Sequence, residues 1–160
     1  MGDWAEFSPA VRTYLRLYPW RRIRPVPWAT LSKPLNQSKV AIVTTAGLVL
    51  PDQEEFDPNI KGGDYTHRVI PVDVELKTLK DTHRSRVFDH NGYRSDPNLA
   101  FPLDRLREFQ EDKIIGSVSS RHISLMGSIT APGRLKKLTA PKVANLFLED
   151  GVDAVLLFPV

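Results

Sequence analysis

The feature that most limits what this chain can fold into is the run Lys39-Val-Ala-Ile-Val-Thr-Thr45, short, continuous and rich in β-branched residues. It does not alternate polar with apolar positions, so it offers no face to water, and such strands are buried on both sides in parallel sheets. Ile114 to Ser119 and Asp153-Ala-Val-Leu-Leu-Phe-Pro-Val160 have the same character, and Thr66 to Pro71 reads as a further strand. Asp73 to Thr82, Leu103 to Asp112 and Leu135 to Glu149 carry helical spacing, the last closed by Asp150-Gly151. Strand and helix alternating with right-handed crossovers predict an α/β fold. The expected architecture is a doubly wound, mainly parallel sheet in a three-layer, Rossmann-like sandwich.

The 160 residues suffice for one domain with a real core, since folded chains of this size bury roughly two-thirds of their surface. Ahead of it, Val11, Tyr14, Leu15 and Tyr18 recur at helical spacing after Ser8-Pro9, an N-cap followed by proline in the first turn. Pro19, Pro25, Pro27 and Pro34 then interrupt regular structure, which predicts an extended arm from Pro19 to Ser38 over the core or across a partner. The expected division is therefore residues 1–38, helix and proline-rich arm, and 39–160, an α/β domain incomplete at its C-terminus.

Arg12, Arg16, Arg21, Arg22 and Arg24 lie among Tyr14, Tyr18, Trp20 and Trp28, a composition suited to polyphosphate or RNA. The 22 basic residues are nearly matched by 19 acidic ones, so nucleic acid is disfavoured. A solvated or subunit-facing segment, compatible with a homo-oligomer, is the blander reading. No apolar run approaches the roughly 18 to 20 residues that span a bilayer. The start Met1-Gly2-Asp3-Trp4-Ala5-Glu6 lacks the basic and apolar regions of a secretory signal, and Glu6 occupies the Ser/Thr position of a myristoylation motif. These features predict a cytoplasmic protein with no membrane partner.

Loops at the carboxyl ends of strands collect ligands in open α/β sheets. Thr44-Thr45-Ala46-Gly47 follows the first core strand, its hydroxyls being potential anion donors and Gly47 permitting close backbone approach. The long polar loop Leu48 to Gly63 brings Asp52, Glu54 and Asp57, which suit an ammonium group or, more blandly, solvent. Arg121-His122 follows the Ile114 to Ser119 strand, with His122 either a general acid or orienting group or a structural histidine bonded to backbone. The stretch Thr82 to Pro102 is rich in His, Asp, Asn and Gly, yet His83, Asp89 and His90 lack tight metal-ligand spacing, so no metal is expected. Asn98 and Asp104-Arg105 suit a loop anchor and helix cap. With zero Cys the chain itself carries no thiol nucleophile and no cofactor is expected within it.

Five blocks in order resemble the selenoprotein B family of glycine/sarcosine/betaine and D-proline reductases. They are Val40 to Asp57, Gly63-Asp64-Tyr65-Thr66-His67-Arg68-Val69-Ile70-Pro71, Asp96 to Leu106, Arg121-His122-Ile123-Ser124-Leu125-Met126-Gly127, and Asp150 to Val160. Tyr18-Pro19-Trp20-Arg21-Arg22-Ile23 resembles the start of an uncharacterised branch of that family.

The resemblance implies an oxidoreductase subunit that cleaves a C–N bond of a small amino-acid-like substrate reductively, using a dithiol/disulfide couple. It implies a pyruvoyl-type reductase subunit or thiol electron donor as partner. The family segment similar to Leu156 to Val160 leads directly into a selenocysteine or cysteine, then a proline and a second cysteine, so the redox residue is expected after Val160. Termination at a selenocysteine codon would produce a chain ending there. Arg121 and His122 become the expected catalytic groups beside that residue, and Thr44, Thr45, Gly47, Asp52 and Glu54 the expected substrate-binding ones. The alternative is a non-catalytic α/β binding or scaffold protein that has lost the redox residue.

Overall fold

The computed structural model describes residues 4–18, 22–85 and 88–160. Gly2, Pro19, Trp20 and Arg21, which figure in the expectations above, lie outside the described residues. The chain divides into two compact units, residues 1–30 and 31–160.

The first unit holds helix α1 (Pro9–Leu17), where the Ser8 hydroxyl accepts the Val11 N–H at 3.3 Å. That bond satisfies one of the otherwise unpaired donors of the first turn. No residue of α1 is buried.

The second unit is a mixed α/β fold around β1 (Lys39–Thr44). Its remaining elements are β2 (Leu48–Val49), β3 (His67–Pro71), β4 (Lys80–Asp81), α2 (His90–Ser95), α3 (Leu103–Glu111), β5 (Ser117–Val118), β6 (Arg121–Leu125), α4 (Ala140–Glu149) and β7 (Ala154–Phe158). One edge of β1 pairs in parallel with β7 along Val40 to Thr44. The other edge is shared, parallel to β5 at Lys39 and Val40 and parallel to β6 at Val43 and Thr44. β3 adds beyond β6 as an antiparallel strand, so the sheet is mainly parallel, and β2 and β4 form a separate antiparallel pair.

The apolar run of β1 is explained by what covers it. Val40 and Ile42 join a core with Ile70, Phe101, Leu103 and Leu106, the last two from α3. Ala41 and Val43 point the other way, onto Ile123 and onto Phe147 of α4. Period-two alternation thus puts every side chain of the run into an apolar environment on one face or the other.

Between its two partner segments on the shared edge, β1 advances three residues, Val40 to Val43, while the partner chain advances five, Val118 to Ile123. The ladder is broken there, and His122 repairs it. Its Nδ1 accepts the Ile42 N–H at 3.0 Å, while Ser119 N–H donates to the Val40 carbonyl at 2.8 Å. The His122 ring is fully buried and edge-on to Phe101, and burial pushes its pKa down to about 4.

Several predicted elements shift for local reasons. The helix expected over Asp73 to Thr82 is a 3-10 turn (Leu76–Thr78) followed by β4. Val74, Leu76 and Leu79 all bury, and their spacing of two then three residues fits no single helix face. The strand expected over Ile114 to Ser119 shortens to β5, because Ile114 and Ile115 N–H groups fold back to the Phe109 carbonyl and close α3. His122 therefore sits inside β6 rather than in a loop after a strand. The helix expected from Leu135 opens with a π-helical turn (Leu135–Thr139) before α4. Pro141 has no N–H to give the Lys137 carbonyl, which favours a wider turn there.

Charges fasten the amino ends of the parallel strands. Arg121 grips Asp150 through Nε at 2.8 Å and a terminal nitrogen at 2.5 Å. Lys39 gives its backbone N–H to Asp153 and its Nζ to the Asp150 carbonyl, both at 2.7 Å, and Lys33 pairs with Asp153 at 2.8 Å. Arg121 and Lys33 hold the Asp150 and Asp153 carboxyls below the ordinary carboxylate range.

Two outcomes follow from this packing. Phe147→Ala should cost about 3 kcal/mol of unfolding free energy, measured by urea titration, because it opens a cavity against Ala41, Val43 and Ile123. His122 has a folded pKa of about 4 against an ordinary value of 6.5, so the unfolded state takes up its proton first. Its contribution is present above pH 6.5 and lost as pH falls toward 4, roughly 3 kcal/mol in all. Across that window the urea stability of His122→Asn should vary less with pH than that of the parent chain.

Candidate functional site

The parallel strands β1, β6 and β7 end together, and the chain just beyond each end is held by named hydrogen bonds. Thr44 is buried, donating its hydroxyl to the Ala100 carbonyl at 2.7 Å and accepting the Ala46 N–H at 3.1 Å. Thr45 N–H continues the ladder to the Phe158 carbonyl at 3.2 Å. The Thr45 hydroxyl then reaches beyond β7, accepting the Val160 N–H at 3.0 Å and facing the Val160 carbonyl at 3.4 Å. One side chain thus fixes both backbone polar groups of Val160.

Gly47 stands at φ +65°, where a side chain is disfavoured, and a Cβ there would meet the His83 backbone at 3.2 Å. Its N–H bonds the Leu125 carbonyl, and its carbonyl accepts from the N–H and hydroxyl of Thr82. These bonds bring the Thr82 to Pro102 stretch over the carboxyl end of the sheet.

There, Asp81 Oδ1 accepts the His83 N–H at 3.0 Å and Asp81 Oδ2 binds His90 Nδ1 closely. His90 Nε2 lies 3.1 Å from the Ser85 carbonyl, and His83 Nδ1 accepts the Ser85 N–H at 3.2 Å. The Phe88 ring packs against both imidazoles, at centroid distances of 4.8 Å to His83 and 5.0 Å to His90. The hydrogen bond to Asp81 raises the His90 pKa, whereas burial lowers that of His83. The pair therefore offers one imidazole that favours its proton and one that stays neutral.

Phe88, Asp89, Tyr93, Leu99, Ala100 and Val160 enclose a cavity of about 250 Å³. Tyr93 donates to the Leu79 carbonyl at 3.3 Å, and burial pushes its pKa up to about 12, so the phenol is neutral throughout the physiological range. A larger cavity of about 420 Å³ lies between Asp73 to Lys77 and Ser95 to Asn98. Two of its polar residues are engaged, Arg107 with Asp104 and the Val72 and Val74 carbonyls, and Asn98 with Asp96 and Asp104. Those bonds fit the loop-anchoring role expected of Asn98 and Asp104.

The residues singled out in the sequence separate into distinct places. Thr44, Thr45 and Gly47 are together at the carboxyl end. Arg121 is not: β6 runs parallel to β1, and Arg121 stands three positions before Ser124, about 10 Å away by strand rise, in the Asp150 ion pair. The expected placement of Arg121 beside the Thr44 to Gly47 loop is corrected by the direction of β6. His122 takes the structural geometry, with no surface exposed to a substrate. Asp52 and Glu54 lie in the loop after β2, where Asp52 is exposed at the turn and Glu54 gives its carbonyl to Arg68 Nε at 2.7 Å. Asp89 caps α2 through the Gly92 N–H at 2.8 Å instead of joining His83 and His90. Among the described residues no group of three or more His, Cys, Asp or Glu is placed to hold a metal ion. Sequence reasoning missed Asp81, Phe88, Tyr93 and Ala100, for which the density of His and Asp after Lys80 was the available signal.

Residues 11–159 match the family described as glycine/sarcosine/betaine reductase selenoprotein B. The chain is 32% identical over 136 residues to D-proline reductase subunit gamma of Acetoanaerobium sticklandii, covering 84% of this chain and 54% of that one. It is 29% identical over 145 residues to sarcosine reductase complex component B subunit beta of Peptoclostridium acidaminophilum, covering 88% and 32%. Against glycine reductase complex component B subunit gamma of the same organism it is 30% identical over 128 residues, covering 78% and 28%. The chain thus spans about half the length, or less, of these relatives. No solved structure matches. No helix among the described residues is long and apolar enough to cross a membrane. The match runs over nearly the whole chain, through every strand of the sheet, and this chain therefore belongs to the glycine/sarcosine/betaine reductase selenoprotein B family.

Proposed function

We propose that this chain forms the N-terminal α/β part of a reductase-complex subunit whose redox-active selenocysteine or cysteine directly follows Val160. In the complete subunit the sheet, covered on opposite faces of β1 by α3 and α4, becomes a doubly wound, Rossmann-like sandwich. The reaction is reductive cleavage of a C–N bond in a small amino-acid-like substrate, with a dithiol supplying two electrons and ending as a disulfide. A pyruvoyl-type subunit or a thiol donor is the partner, in a cytoplasmic complex.

The observation that carries this reading is the Thr45 clamp on Val160. A residue placed next in the chain would leave from a fixed backbone, at the carboxyl end of a central parallel sheet, beside the cavity walled by Phe88, Asp89 and Tyr93. A selenolate or activated thiolate needs such positioning, since it must reach both a substrate and a resolving thiol. Asp89 and the aromatic walls supply a carboxylate and π faces suited to an amine-bearing substrate.

The test is to read the coding sequence beyond the Val160 codon and to measure selenium in protein purified from its native source. An in-frame selenocysteine or cysteine codon continuing into family-like sequence is expected. An ordinary stop, or unrelated sequence without either residue, overturns the reading and favours a thiol-free binding protein on the same fold.

The clamp itself makes a separate prediction. Thr45→Val removes the hydroxyl while keeping the side-chain shape. The Val160 amide should then exchange with solvent about tenfold faster, the equivalent of one net hydrogen bond, while the unfolding midpoint stays nearly constant. Hydrogen exchange resolved by NMR reads the first quantity and urea titration the second.

A further inference from the structure

His90 meets an acceptor at each of its ring nitrogens. Its Nδ1 faces Asp81 Oδ2 and its Nε2 lies 3.1 Å from the Ser85 carbonyl, and an ionised carboxylate and a carbonyl can only accept. A neutral imidazole carries one N–H, so the two bonds form together only when the ring is an imidazolium. Loss of a proton leaves the other on Nδ1, toward the stronger acceptor Asp81, and turns a lone pair on Nε2 toward the Ser85 oxygen. Asp81 also takes the His83 N–H through Oδ1, and His90 opens α2, where its own N–H bonds the Phe88 carbonyl at 2.9 Å. The ring thus ties the end of β4 and Ser85 to the start of α2. Phe88, edge-on to it at 5.0 Å, and Asp89, next to it in the chain, both line the cavity that Val160 borders.

We propose that protonated His90 is a clasp that holds this cavity wall closed, and that loss of its Nε2 proton frees the start of α2 and opens the wall. The clasp acts on the wall alone and holds whether or not a redox residue follows Val160. The hydrogen bond to Asp81 raises the His90 pKa above its ordinary 6.5; the Ser85 carbonyl adds to this, while burial and Arg94 of α2 oppose it. His83, across the Phe88 ring, is lowered by burial and is neutral above 6.5, and Tyr93, pushed up to about 12, keeps its proton. Asp89 is turned onto the Gly92 N–H, and Arg84 donates to the Ser128 and Pro58 carbonyls. His90 is therefore the member of this cluster that changes charge on the alkaline side of 6.5. The clasp is fully present below pH 6.5 and is lost as pH rises through the raised value.

Nitrogen-15 NMR of the histidine rings across roughly pH 5.5 to 9 counts the protons on His90, and amide hydrogen exchange, expressed as protection factors, reads the wall. At pH 7 both ring nitrogens of His90 should be protonated, with a midpoint above 6.5. The Gly92 and Tyr93 amides, which bond Asp89, should lose about tenfold in protection on the same curve, the equivalent of one net hydrogen bond, while β1 amides keep theirs. His90→Asn, whose amide N–H lies near the Nδ1 position, keeps the Asp81 bond without reaching Ser85 and should show the low protection at every pH. Asp81→Asn should lower the His90 midpoint and carry the loss of protection with it. A singly protonated His90 ring at pH 7 overturns the proposal, as does protection of Gly92 and Tyr93 that stays constant through the titration or falls together with that of β1. A pH-dependent loss that persists in His90→Asn overturns it too. Should His90→Asn fail to fold, Asp81→Asn decides, and an unmoved midpoint overturns the clasp.

Discussion

Everything in the second unit depends on satisfying the backbone of β1. A strand without a polar face, buried on both sides, must find a partner for every N–H and C=O within the protein, because water cannot reach them. β7 serves one edge in unbroken register, and the other edge is divided between β5 and β6. The gap between those two segments would strand the Ile42 N–H, and an imidazole fills it. His122 is therefore explained by backbone accounting. Its buried, neutral ring is the form that can accept, and protonation would turn an acceptor into a donor facing a donor.

The two ends of the same strands do different things for reasons of charge. At the amino ends, Lys33, Lys39 and Arg121 meet Asp150 and Asp153, and these pairs hold the start of β7 against the start of β1. At the carboxyl ends Val160 is held by the Thr45 hydroxyl, beside a cavity lined by Phe88, Asp89 and Tyr93. At that carboxyl end, Thr45 and the Phe88 wall both border Val160. The division matches the general rule that strand carboxyl ends carry function in such sheets.

Much of this was legible in the residues. The β1 run and helix α3 were visible because their patterns arise from local burial, and the Thr44 to Gly47 loop followed from strand direction alone; the final strand forms as expected but among the described residues pairs only with β1 and leaves Val155, Leu156 and Leu157 exposed. The Asp73 to Thr82 segment misled because its apolar residues are recruited by separate parts of the core, which no single period describes. Arg121 misled for a topological reason: once β6 proved to be a strand parallel to β1, its first residue had to lie at the amino end. The packing of His83 was hidden because its neighbours Gly47, Ser85 and Gly127 are spread over 81 positions of sequence.

By itself, then, the sequence determined the local periods, the family and the turn of small residues after β1, since each is written in residues close together along the chain. Tertiary structure alone decided that His122 repairs the sheet, and that a threonine grips Val160 from 115 residues away. Those facts depend on strand register and on where a side chain ends after the chain has crossed the sheet, and neither is encoded in spacing.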